Sequence, residues 1–182
     1  MPTRPSHALG FLLGFWVGLA VFLPLAAPSA FSEGAPAQAR APADGARAAH
    51  ETALHAAVNA YRAENHRVPL TRRAELDRVA RGHSQDMASR GYLAHASPEG
   101  VDWVGRLERA RIEGFTMAGE NVGLTSRRSP NDEILQGWIH SAVHRENLLA
   151  APYNATGLGI ARSADGTLYY TQLYLSFPRE GR

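Results

Sequence analysis

Between residues 50 and 150 the apolar positions recur every three to four residues, and after Pro152 they recur every second residue. The first rhythm predicts helices and the second predicts strands. Leu54, Ala57, Val58 and Tyr61 form one helical stripe. Leu76, Val79, Ala80, His83 and Met87 form a second, with Thr71 as its N-cap after Pro69 and Leu70, and Gly91 as its stop behind Arg90. A third helix over 101–112 places Val104, Leu107 and Ile112 inward and Arg106, Arg109 and Arg111 outward, and Gly114 ends it. Ser129 and Pro130 open a fourth, with Asp132 in its first turn. Ile134, Leu135 and Trp138 are its buried face, and Ser141 restarts a short helix carrying His144, Asn147 and Leu148.

Three strands complete the pattern. One covers 115–122, with Gly119 and Gly123 as punctuation. Two more, at 156–161 and 167–176, alternate and are rich in Tyr, Leu, Thr and Ile. Asp165-Gly166 between them is a strong hairpin signal. Helices interleaved with antiparallel strands predict an α+β fold, a sheet covered by helices.

The N-terminal region follows another pattern. Arg4 precedes an almost wholly apolar run over 8–23, followed by Pro24, Pro28 and small residues. Residues 1–30 therefore read as a signal peptide or a signal-anchor, and the protein as exported, either released (secreted or periplasmic) or held in the cytoplasmic membrane by residues 8–27. Residues 31–49 are Ala/Pro-rich and cannot bury a face, which predicts a disordered linker. The folded domain is expected over 50–178, with 179–182 as a tail.

Composition narrows the function. The 182 residues are 45% hydrophobic and 20% charged, with a net charge of +2. All 19 basic residues are Arg, so the pI near 9.3 reflects guanidinium chemistry more than a basic surface. No polybasic stripe marks a nucleic-acid partner. The absence of cysteine excludes disulfides, thiolate metal sites and thiol nucleophiles.

Candidate chemistry gathers in three places. His95 stands in the turn-rich segment 93–100, a loop position suited to function. Glu120 lies inside an apolar strand, where a carboxylate needs a partner. Segment 137–149 holds His140, Ser141, His144 and Glu146 beside the core anchors Trp138, Leu148 and Leu149, and on one helix His140 and His144 would share a face. His50 and His55 read as boundary groups and His83 as a hydrogen-bonded helix histidine.

Taken in order, His-x-Ser-Pro-x-Gly at 95–100, Gly-Glu-Asn at 119–121, Trp-x-x-Ser-x-x-His-Arg-x-Asn-Leu-Leu at 138–149 and Tyr-Thr-Gln at 170–172 resemble the bacterial SCP-like branch of the CAP superfamily. The resemblance covers about 50–177. It implies a three-layer α–β–α sandwich with a central, mainly antiparallel sheet and a shallow cleft lined by two histidines and two glutamates. Carried over by motif, these are His95, Glu120 and His144. The second glutamate of eukaryotic relatives falls at Ser141 here, so the cleft cluster has three members with Ser141 as a polar fourth. His140, Glu146 and Glu99 remain as accessories.

Two imidazoles and a carboxylate can form a first shell for Zn²⁺ or another divalent cation. Equally, Glu120 can orient His95 or His144 in a metal-free, pH-sensitive cluster, or it can tie strand to helix. Three functions stay open: a monomeric binding module for a small molecule (lipid, glycan or peptide), a metal-assisted hydrolase acting on envelope material or peptides, and an interaction protein whose polar cluster is structural. The reading favours the binding module.

Overall fold

The computed structural model describes residues 37–178. The signal or anchor segment and the tail at 179–182 lie outside them. Five helices and four strands follow in the order α1 (Ala37–Glu64), β1 (Thr71–Arg72), α2 (Ala74–Arg90), α3 (Trp103–Arg109), β2 (Met117–Thr125), α4 (Pro130–His140), α5 (Ala142–Leu149), β3 (Ala155–Arg162) and β4 (Leu168–Ser176). The strands form one sheet in the order β1-β3-β4-β2. Only the β1–β3 pair is parallel.

β4 is buried along its whole length because helices cover both faces of the sheet. Tyr170 and Tyr174 join Leu54 and Val58 of α1, Ile134 and Trp138 of α4 and Leu148 of α5 in one core. Leu173 and Leu175 point the other way, to Leu76 and Ala80 of α2 and Leu107 of α3. This is the expected α–β–α sandwich.

Two glycines set the closeness of α2. A Cβ at Gly157 or Gly159 would collide with the backbone of Leu76 or of Ala80 and Arg81. Helix backbone therefore rests directly on strand backbone. Ser84 Oγ donates to the Gly159 carbonyl at 2.9 Å, and Asp77 Oδ1 accepts from the Leu158 amide at 2.9 Å. At the opposite layer the buried Arg62 guanidinium donates to the carbonyls of Leu148 at 2.6 Å and Tyr153 at 3.3 Å. These bonds satisfy carbonyls at and beyond the C-terminal end of α5.

Several expectations need correction. α1 begins at Ala37, inside the segment read as a disordered linker. Its alanines favour helix, and Glu51, on the same helix, is fully buried between Arg72 and Arg81. Thr71 is not a helix cap. It forms β1 beside Ala155, and Arg73 takes the N-cap position of α2 without a side-chain bond. The strand expected at 115–122 runs from Met117 to Thr125. The third helix spans only seven residues, and Val104 is exposed. Gly91 does end α2 in the left-handed region, at φ 68°. The hairpin turn has Gly166 at φ 90°.

Candidate functional site

The site is assembled on β2, an edge strand of the sheet. Consecutive residues of a strand face opposite ways, so Glu120 and Asn121 serve different layers. The Glu120 side chain is fully buried on the α2–α3 side, opposite Leu173 in the register. Burial without partners would be costly, and both of its oxygens have one. Oε2 accepts from Arg106 of α3 at 2.6 Å, and Oε1 accepts from His95 Nδ1 at 3.0 Å.

His95 belongs to the segment between α2 and α3, which several bonds hold in place. The 97–100 turn closes with Gly100 N–H donating to the Ser97 carbonyl at 2.8 Å, and Gly100 takes φ 81°. Glu99 pairs with Arg90 at the end of α2 at 2.6 Å, and this bond holds its carboxyl down at about 2. Arg106 spans the segment, donating to the His95 and Val101 carbonyls at 3.0 Å each. The buried His83 donates from Nε2 to the Ala94 carbonyl at 2.9 Å, as expected of a helix histidine. Trp103 meets the His95 ring edge-on, with 5.6 Å between centroids. The His95 side chain remains 42% exposed. Because Nδ1 donates to Glu120, Nε2 is the ring's free lone pair.

On the other face Asn121 donates to the His144 carbonyl at 3.0 Å. Asn147 donates to the Glu120 carbonyl at 3.1 Å and to Asn121 Oδ1 at 2.9 Å. The pair of asparagines fixes α5, and with it His144, against the edge of β2. Burial lowers the His144 pKa first, and the nearby His95 lowers it further.

None of the remaining candidates makes a side-chain bond to His95, Glu120 or His144 among the described residues. The helix breaks at Ser141, whose backbone is extended at ψ 121°, so His140 and His144 do not share a helical face. His140 is exposed and donates from Nδ1 to the Gln136 carbonyl at 2.7 Å. Ser141 makes no capping bond, and Glu146 is exposed. Tyr170, Thr171 and Gln172 are fully buried, bonded to Asn131 of α4, Ser84 of α2 and Thr156 of β3 respectively. Arg106, expected outward, is the group that sequence reasoning missed. Its signal was the buried Glu120, which required a cation. Asn121 and Asn147 were visible inside the motifs but had no assigned role.

Among the described residues, no group of three or more His, Asp or Glu side chains is arranged to hold a metal ion. Glu120 as a direct ligand is disfavoured, since both of its oxygens are engaged. Glu120 stands behind His95 in the arrangement by which a carboxylate orients an imidazole.

The fold and motif order define a class, and comparison with known proteins agrees. Residues 55–174 match the CAP family, described as the cysteine-rich secretory protein family. The chain belongs to that family. It is 35% identical over 97 residues to YlbC, a membrane protein of Bacillus subtilis strain 168, and 30% identical over 115 residues to YkwD of the same strain. These alignments cover 53% and 63% of this chain but only 26% and 44% of those relatives, so the chain spans less than half the length of either. A solved extracellular protein of Bacillus anthracis strain Ames containing an SCP domain is similar at 31% identity with a TM-score of 0.61, over 71% of this chain and 41% of that one.

Proposed function

We propose that this chain is an exported CAP domain whose cleft binds a small ligand (lipid, glycan or peptide) with the help of a divalent cation such as Zn²⁺ held by His95 Nε2 and His144. The observation that carries the reading is the Arg106–Glu120–His95 relay. It ends in a half-exposed imidazole with its lone pair directed away from the carboxylate. A bound cation would supply Lewis acidity and exchangeable positions for a ligand oxygen. Glu120 would stay behind His95, raising its basicity and fixing its tautomer. Export is supported by the apolar leader at 8–23 and by likeness to an extracellular SCP-domain protein. Among the described residues, no helix is long and apolar enough to cross a membrane.

Titration with zinc alone, followed by calorimetry and by imidazole NMR signals, tests this. The wild-type protein should bind one ion, and His95→Ala and His144→Ala should each weaken binding by more than roughly a hundredfold, beyond the range for losing only an outer-shell partner. Equal affinity in wild type and both variants would remove the cation from the reading.

A further inference from the structure

Away from the cleft residues His95 and His144, an open groove runs between α2 and α3. Its larger part, about 440 Å³, has an apolar bed of Val79, Gly82, Ala110 and Ile112 with Arg78 and Arg109 beside it. A further 250 Å³ continues past His83 and Arg106 toward Ser97.

Three observations point to an occupant. The first is charge. Every carboxylate lining the groove is already paired with an arginine outside it: Glu75 with Arg73 at 2.5 Å, and Asp86 and Glu99 with Arg90 at 3.3 and 2.6 Å. Arg78 and Arg109 line the groove and pair with no carboxylate among the described residues. The lining therefore carries an excess of positive charge directed at one hollow. The second is Gly82. A Cβ there would meet nothing within 4 Å, so no packing demands glycine. Glycine inside a helix weakens it relative to alanine, and the bare backbone keeps the bed open for close approach. The third is unspent hydrogen-bonding capacity. Arg106 Nε is buried without a partner, although its other nitrogens are committed to the cleft. His83 is 2% exposed and donates from Nε2, which makes Nδ1 the ring's acceptor. Burial lowers the His83 pKa, which keeps that acceptor neutral.

We infer that this groove binds the carboxylate end of an acylated amino acid. The carboxylate lies on Arg78 and Arg109, the apolar side chain rests on Val79, Gly82 and Ile112, and the amide N–H faces His83 Nδ1. A free N-acyl amino acid and the C-terminus of a peptide share this chemistry. The inference is independent of the cation site.

N-acetyl-leucine and N-acetyl-leucinamide, titrated into the protein and followed by NMR at the Gly82 amide and the His83 ring, test it. The acid should give saturable shifts and bind roughly tenfold or more tightly than the amide, as expected for a charge-assisted bond to guanidinium. Arg109→Gln should narrow that difference. Gly82→Leu should abolish binding without lowering the melting temperature, because it fills the groove while improving helix propensity. A tetrapeptide ending in leucine that binds more tightly than N-acetyl-leucine supports a peptide terminus as the source, and equal binding supports the small acid. Equal binding of acid and amide, no shifts at tens of millimolar, or full binding by Gly82→Leu would each overturn the proposal. Zinc affinity is unaffected by any of these outcomes, so the two readings fail separately.

Discussion

Two buried glutamates of this fold solve the same electrostatic problem with different partners. Glu51 of α1 and Glu120 of β2 both have fully buried side chains. Glu51 is enclosed by arginines: Arg72 at 2.7 Å, Arg81 at 2.6 Å and, more distantly, Arg47 at 3.8 Å. Arg72 also bonds Asp77, which in turn accepts from the Leu158 amide, so the network ties α1, β1, α2 and β3 together. Arginine stays charged at every ordinary pH. The cluster's cations are all guanidiniums, which have donors only and no lone pair to offer a ligand. Glu120 has one arginine and one imidazole, and the imidazole reaches solvent. Burial of a carboxylate does not separate a structural cluster from a functional one. The identity of its partners and the exposure of the last partner do.

The comparison is tested most severely by Glu51→Ala. It leaves Arg72 and Arg81 facing each other without their anion, and removing one member of a buried ion pair costs about 3–5 kcal/mol. Guanidinium unfolding should show that loss at unchanged m-value. A loss under about 1 kcal/mol would reduce the cluster to a surface ion pair. Arg106→Gln should cost less, about 1–3 kcal/mol, because His95 still bonds Glu120 and the glutamine amide can still donate. Its distinguishing effect is local. Residues 95–101 should exchange their amide hydrogens faster, since Arg106 holds two carbonyls of that segment. A larger global loss than for Glu51→Ala would mean that Glu120, not Glu51, is the principal structural carboxylate.

The two clusters were not equally legible from sequence. The core stripes of α1, α2 and α4, the Gly91 stop and the Asp165-Gly166 turn rest on local periodicity and turn chemistry, and each appears where the pattern puts it. Glu120 and its need for a partner could be read from the apolar strand around it. The partner could not. Helical periodicity assigned Arg106 to the solvent face, but α3 is only seven residues long, and its long guanidinium stem reaches back to β2. The Glu51 network was invisible for a related reason. β1 is two residues long and pairs in parallel with a strand more than eighty positions away, a contact that no local rule encodes. The Ala-rich start of α1 was read as linker because composition was weighed above propensity. Motif order supplied the cleft members, yet it could not show that Ser141 breaks the helix between the two imidazoles.

The smallest expected effect sharpens the contrast through pH. His144 and His83 both have pKa values below the ordinary histidine value, with burial the leading cause in each case. The unfolded chain binds these protons near the unperturbed value of about 6.5, whereas the folded chain resists them. Between the two values the unfolded state carries more protons, so stability rises with pH there. These groups therefore cost nothing well above about 6.5, and stability declines as pH falls through and below that value. Chemical unfolding between pH 8 and 5 should show the decline, and the double variant His83→Gln, His144→Gln should flatten it. The Glu51 cluster contains no histidine, so Glu51→Ala should shift the whole curve downward without changing its slope across this range. An equal flattening by Glu51→Ala would show that the arginine-enclosed carboxylate titrates as well, and the division between the two clusters would fail.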